Sequence, residues 1–595
     1  MKRNKILVLS ALLSAAGIFL LPQMLNLKGN VLAISNSYFA VFVWAGCWFF
    51  LNKAMQKISR EDRRGYMAAG ILSFLFSLCI AFGAALEQAE NVNFKSLIMW
   101  LAVFVWTVIL TIWMHFAWEW LERYNSRPSE KGTSYESKQL FFIFGILMLS
   151  WFIIFLAVYP GFFVYDAQDE FIQVQTRNFT THHPLPHVLL LGGIVLLFNK
   201  LTGSYNMGIA VYTLLQMLVM AGVFTYVLSY MKRKGVRTAV RVLSLFYFAF
   251  FPVIVMFVLC SAKDGIFTAA LLLLVISLIE MAGQREKFFL SWKNYVFFGA
   301  SAVVMMMFRH NGMYAFLVMV PIMILYMKGC RKKLAILLGA VFAVYFLITT
   351  GLTAALHAVD SENQEILTVP IQQLSRTYKY EKESFSQQDL ETLYEIIPEN
   401  VLPYYTSKVS DGVKVAFNNE AYAKNPGKYI SLWIRTGLKH PFTYLNAWFM
   451  TSYGFWYPDT VIDVYRGNGV FTFTYEDSSF FGYEVEQPGV RESKIPFLDE
   501  WYRNMSLEIA QQKIPVVSML FSPGFLFWVF AFTFGYTYYR KRYQLLIPLV
   551  LILLVWLTVI LGPTYLPRYV LILWYALPVL LAVLVNESQL CYTNP

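Results

Sequence analysis

The sequence predicts an all-α polytopic membrane protein of about fourteen transmembrane helices, with an outer lobe that is α or α+β. Three observations predict it. Of 595 residues, 58% are hydrophobic and 14% charged, against about 25% charge in an ordinary soluble domain. Apolar stretches of about 20 residues recur, the length that crosses a hydrocarbon core of roughly 30 Å. Basic residues concentrate in alternate connections between those stretches, as they do on the cytoplasmic side of multi-pass proteins.

The apolar stretches lie near 5–26, 37–52, 66–86, 97–120, 139–158, 205–230, 239–259, 265–282, 294–308, 312–327, 334–353, 517–539, 545–562 and 569–585. The first begins "MKRNKILVL". A basic start before an apolar run resembles a secretory signal, but the run extends through Leu21 and further spans follow, so a retained span is expected. With the N-terminus inside, the inner connections hold 27 of the 48 Lys and Arg, the short outer ones 7, and the long segment 354–516 the remaining 14. Both termini are then cytoplasmic. The net charge of +12 reflects topology and gives no reason to expect a nucleic-acid partner. Five scattered cysteines show neither zinc-site nor disulfide spacing.

The stretch "VLLLGGIVLLFNKL" (188–201) is apolar but about 14 residues long, which suits an interfacial or re-entrant helix. A crossing there would place "KRKGVR" outside. The region 159–204 therefore reads as one outer loop. Segment 354–516 reads as an outer lobe, with amphipathic helices suited to the interface and a hairpin expected within 465–500. The organisation is an N-terminal four-helix region (1–138), a membrane core (139–353), the lobe (354–516) and C-terminal helices (517–595).

Ionisable groups gather at the predicted outer ends of spans. "YPGFFVYDAQDE" carries Asp166, Asp169 and Glu170, and "THHPLPH" carries His182, His183 and His187. "CSAKDG" supplies Lys263 and Asp264, "FRHNG" Arg309 and His310, "TYLPRY" Arg568, and "FWYPDT" Trp456 and Asp459. A charge beside hydrocarbon is costly unless it meets water, a partner or a substrate. Carboxylates can act as bases or hard ligands to a divalent metal; cations can grip a phosphate. For each there is a plainer role. The carboxylates can cap helices, Lys263 and Asp264 can pair with each other, and Arg309 and Arg568 can snorkel to mark span ends.

A large outer loop right after a span, with an early acidic motif "YDAQDE" and a later Pro-containing "HHPLPHVLLLGGIVLLFNKL", resembles the GT-C glycosyltransferases. "SAKDG" resembles their further outer acidic position. With "FRHNG", "VPIQQLSR" and "FWYPDT", the pattern also resembles a bacterial polytopic family of unknown function related to that superfamily. It runs from about 139 to 585, which leaves 1–138 as an accessory region. The resemblance implies an enzyme in the bacterial cell membrane. It would move a sugar from a polyprenyl-phosphate donor to an envelope glycan or lipid on the outer face. It implies Asp166 as base or acceptor-positioning group, with Asp169 and Glu170 beside it. His182, His183, Lys263, Asp264, Arg309, Arg568, Trp456 and Asp459 are then candidates for substrate binding, and a divalent metal is an option. A "WWDYG"-like stretch is lacking, which argues against transfer to protein asparagine. The competing classes are a lipid-linked-substrate transporter or flippase, and a non-catalytic membrane scaffold or sensor.

Overall fold

The computed structural model describes residues 3–26, 38–57, 62–125, 130–462, 485–507 and 510–591. Of the stretch expected to form a hairpin (465–500), residues 465–484 lie outside the described residues. Among the described residues, nine helices are long and apolar enough to cross a membrane, or ten if the bent pair Thr238–Phe250 and Pro252–Val258 is one span. This is the make-up of a multi-pass helical membrane protein. Eight of the nine coincide with stretches read as spans; the ninth, Leu185–Thr202, is the one read as an outer-face helix. The other stretches form shorter or broken helices. Pro252 and Pro523 each open a new helix at its first position, where proline's missing N–H is harmless, so 239–259 and 517–539 are each divided. No strand occurs among the described residues, only isolated bridges at Phe162–Cys260 and Thr180–Val359. The described part of the lobe is therefore helical.

Two compact units make up the chain. Unit one comprises Met1–Pro128, Val369–Thr460 and Ser522–Tyr543; unit two comprises Ser129–Thr368, Val461–Phe521 and Gln544–Pro595. The units thus interleave along the sequence, whereas the four segments drawn from it run consecutively.

Unit one starts with α1 (Arg3–Met24), α2 (Tyr38–Lys57), α3 (Arg63–Ala89) and α4 (Leu97–Asn125). Along α3, Gly65, Ala69, Ser73, Ser77, Ala81 and Ala85 are buried at every fourth position. Such a small-residue stripe lets helices approach closely without a hydrophobic driving force. Gly535 of helix Pro523–Tyr539 fits the same logic, since a Cβ there would lie 2.3 Å from Leu72 and 2.7 Å from Trp118. The helices of 369–460 dock on the α3–α4 connection. Asn446 accepts a hydrogen bond from the Val92 N–H at 2.9 Å, and Phe442 stacks on Phe94 at 5.0 Å.

Unit two is built on α5 (Ser137–Ala157), α6 (Tyr165–Thr176), α7 (Leu185–Thr202), α8 (Tyr205–Arg233), α9 (Thr238–Phe250), α10 (Pro252–Val258), α11 (Asp264–Gln284), α12 (Trp292–Phe308), α13 (His310–Tyr326) and α14 (Arg331–Leu356). Its two ends differ in charge. At one end the basic connections meet: Glu130 pairs with Arg241, Lys234 with Glu280, Lys232 donates to Gln139, and Arg285 lies over Tyr326. At the other end lie the C-terminus of α5, all of α6, and the start of α11.

Helix α7 is 18 residues long because it begins at Leu185, three residues before the apolar run, with Pro186 in its first turn. It meets the start of α8. His187 reaches Tyr212, Val195 backs onto Gly208, and the chain turns into α8 at Gly203.

Candidate functional site

The loop 159–164 is fastened before the first acidic residue appears. Phe162 N–H donates to the Leu259 carbonyl at 3.0 Å, and Ser261 N–H donates to the Phe162 carbonyl at 3.0 Å. Gly161 sits at φ +124, where a Cβ would lie 2.5 Å from the Thr213 hydroxyl; only glycine meets both demands without strain. This explains the glycine of "YPGFF". The clamp sets the first turn of α6 against the first turn of α11, and so brings Asp166 to Lys263.

One carboxylate oxygen of Asp166 accepts from Lys263 Nζ at 3.0 Å and from Arg568 Nη1 at 2.8 Å. The side chain is only 12% exposed. Burial would raise its pKa, but the Arg568 guanidinium and then the Lys263 ammonium outweigh it and hold the carboxyl well below the usual range. The residue capping α6 is Val164, so capping is not what Asp166 does. Lys263 also donates to His183 Nδ1 at 2.7 Å. An ammonium has no acceptor, so His183 must carry its proton on Nε2, where it faces Asp169 Oδ2 at 3.0 Å. That hydrogen bond is the main reason the Asp169 carboxyl lies below its ordinary pKa. Asp169 is the most open of the three α6 carboxylates, its side chain 44% exposed.

Glu170, fully buried, bonds His187 Nδ1. His187 Nε2 lies 2.7 Å from the Tyr212 hydroxyl, which donates to Gln216 Oε1 at 3.2 Å. Gln216 Nε2 faces the carbonyls of Phe257, Val258 and Cys260 at 3.2, 2.8 and 2.7 Å. Since Nε2 must donate there, Oε1 accepts from Tyr212, and Tyr212 in turn accepts from His187 Nε2–H. The chain holds α6, α7, α8 and the end of α10 in one register. Asp264, fully buried at the start of α11, pairs with Arg309 at 3.1 Å and with Arg568 at 3.8 Å. The Arg309 and Arg568 guanidiniums each lie 4.8 Å from the Tyr569 ring centre.

The structure therefore gathers Asp166, Asp169, Glu170, His183, Lys263, Asp264, Arg309 and Arg568 at one end of unit two. Lys263 and Asp264, neighbours in sequence, do not pair with each other; each finds a partner on another element. Arg309 and Arg568 face carboxylates and do not snorkel. His182 stands at the exposed edge, its ring 4.6 Å from that of His183. Trp456 and Asp459 belong to unit one. There Trp456 donates to Ser452 at 3.4 Å, and burial followed by the Glu87 charge raises the Asp459 carboxyl above its ordinary pKa. Tyr212, Gln216 and Tyr569 were not singled out from the sequence. The signal for the first two is the pair of hydrogen-bonding residues four apart in an otherwise apolar span, "YTLLQ". Among the described residues no three His, Cys, Asp or Glu side chains are arranged to hold a metal ion. Asp166 and Glu170, which could offer oxygen ligands, are turned onto Lys263 and Arg568 and onto His187.

A family model described as a family of unknown function (DUF6020) matches residues 164–594. The chain belongs to this family. No curated protein and no solved structure matches it. The DUF6020 match takes in every residue of the cluster and omits α1–α4.

Proposed function

We propose that the protein is a GT-C-like glycosyltransferase of a bacterial cell membrane. It would take sugar from a polyprenyl-phosphate donor and pass it to an envelope glycan or lipid at the outer face. One observation carries the reading: three cations and four carboxylates from α6, α11, the α12–α13 junction and the Arg568 turn interlock at one end of a helical bundle whose opposite end is basic. The basic end faces the cytoplasm by the positive-inside tendency, so the cluster faces out, where lipid-linked sugars are used.

Transfer breaks the bond between the anomeric carbon and the phosphate oxygen and forms one to the acceptor oxygen. The phosphate leaves with the electron pair. Lys263, Arg309 and Arg568, held in place beforehand, oppose the charge that grows there. His183, already accepting from Lys263, orients its neighbours without adding charge. The acceptor hydroxyl must lose a proton. Asp166 is pinned by two cations and Glu170 is sealed against His187. Asp169 is open and the less depressed of the two α6 carboxylates paired at this edge, so we assign it the proton and give Asp166 the task of anchoring Lys263 and Arg568.

In nanodiscs, the purified protein is expected to move labelled sugar from a polyprenyl-phosphate donor, and Lys263→Met or Arg568→Gln to abolish this. Envelope glycans unchanged by loss of the protein, together with no transfer from any such donor, would remove the enzyme reading. Orientation has its own check. A single cysteine at 176 should react with an impermeant reagent from outside, and one at 134 only from inside; labelling of 134 from outside would invert the cluster.

A further inference from the structure

At the basic end of unit two, a cavity of about 390 Å³ is lined by Lys138, Phe142, Leu228, Arg241, Val242 and Leu245 among others. Its polarity is graded along three helices at once. On the approach to α5 and its first turn, Tyr135, Lys138 and Gln139 precede Phe142 and Ile143. On α9, Arg241 precedes Leu245 by one turn. On α8, Leu228 lies one turn before the terminal Lys232. The mouth is thus cationic and hydrogen-bonding, and the depth is apolar.

Arg241 is more than nine-tenths buried and locked in place. Its Nε donates to the Val236 carbonyl at 2.8 Å, Nη1 to the Tyr135 hydroxyl at 2.7 Å, and Nη2 to Glu130 and Thr238 at 3.0 and 2.7 Å. A guanidinium has five N–H donors, and these contacts use four. Lys232 lies 4.0 Å from the Tyr135 ring centre, so two cations flank that ring. Glu130 and Glu136 offset two positive charges, and Arg241, Lys138 and Lys232 together leave the mouth net positive. The helices bordering it present Phe141, Phe142, Val242 and Leu243 outward, as a bilayer-facing surface does.

We propose that this groove binds an anionic glycerophospholipid, its phosphate at Lys138 and Arg241 and one acyl chain along Phe142, Leu228, Val242 and Leu245. The head-to-tail order of the groove is that of a lipid in the adjoining leaflet, and the volume lies within the usual range of roughly 300–1,000 Å³ for a ligand site. The site is independent of the catalytic cluster, which lies at the other end of the unit. Net attraction from one unbalanced positive charge near a membrane surface corresponds to roughly a fivefold preference for an anionic over a zwitterionic head group.

The test is native mass spectrometry and thermal unfolding of the full-length protein in detergent, with phosphatidylglycerol or phosphatidylcholine of identical chains. Retention of phosphatidylglycerol and a higher Tm with it are expected. Lys138→Gln should weaken both, and Leu245→Trp, which fills the depth, should abolish them while leaving Tm in phosphatidylcholine unchanged. Equal retention of the two lipids, or binding untouched by both substitutions, overturns the proposal. So does an equal effect of glycerol phosphate without acyl chains, which would mean a simple anion site.

Discussion

Asp169→Asn is expected to lower the turnover of sugar transfer by about 10²–10⁴, the usual cost of losing a general base, while leaving donor KM and protein amount near wild type. The asymmetry follows from placement. Asp169 is open at the edge and bonds His183 and Gln173, and an amide of the same shape keeps the second contact. No buried cation depends on it. Asp169→Glu should restore part of the turnover, because it returns the carboxylate at slightly longer reach; a purely structural contact would gain nothing from that charge. With folded-state pKa values below the ordinary range, Asp166 and Asp169 stay ionised from neutral pH down to the carboxylate region near 4. Turnover should therefore not fall between pH 8 and 5 through either. Full activity of Asp169→Asn in a labelled-sugar assay would return the proton to another group.

The sequence made the membership of the cluster legible, and left its pairings hidden. Charged residues at the predicted outer ends of spans are rare enough that each needs a partner, and the positive-inside count assigns them to one side. That reasoning reaches Asp166, Lys263, Arg309 and Arg568 without coordinates. Pairing depends on helix phase. Asp264 is the first residue of α11 and turns into the bundle, whereas Lys263 just before it reaches across to α6. No adjacency rule distinguishes these outcomes. The role of Glu170 was hidden for the same reason: its partner His187 opens α7, a helix whose start at Leu185 was masked by the prolines around it. Trp456 and Asp459 sit in a motif as suggestive as the others, yet the stretch 369–460 joins the N-terminal helices, and local sequence carries no sign of which unit a segment will enter. The small-residue stripe of α3 was legible in principle, since a four-residue spacing of Gly, Ala and Ser is readable in any span.

Asp166→Asn is expected to damage both folding and donor binding, a different signature from that of Asp169. The carboxylate oxygen shared by Lys263 and Arg568 is the main counter-charge of two largely buried cations. Removing one partner of such a pair typically costs about 3–5 kcal/mol, because the remaining charge stays buried. Asn keeps the oxygen but not the charge, so a loss toward the lower end is expected, read as a lower Tm in detergent. The contribution has a defined pH sense. The folded-state pKa of Asp166 is depressed, so its stabilisation is complete above the unfolded value of about 3.9 and disappears as pH falls through the folded value below it. The wild-type advantage over Asp166→Asn should thus be constant from pH 8 to 5. The double variant Asp166→Asn with Arg568→Gln removes one charge of each sign and should recover part of the lost Tm, a coupling of about 0.5–3 kcal/mol for groups in one network. Transfer should not recover, because the phosphate has lost a cation. Additive losses of Tm would show that the Asp166–Arg568 pair does not hold this end of the bundle together; restored transfer would show that Arg568 does not meet the leaving phosphate.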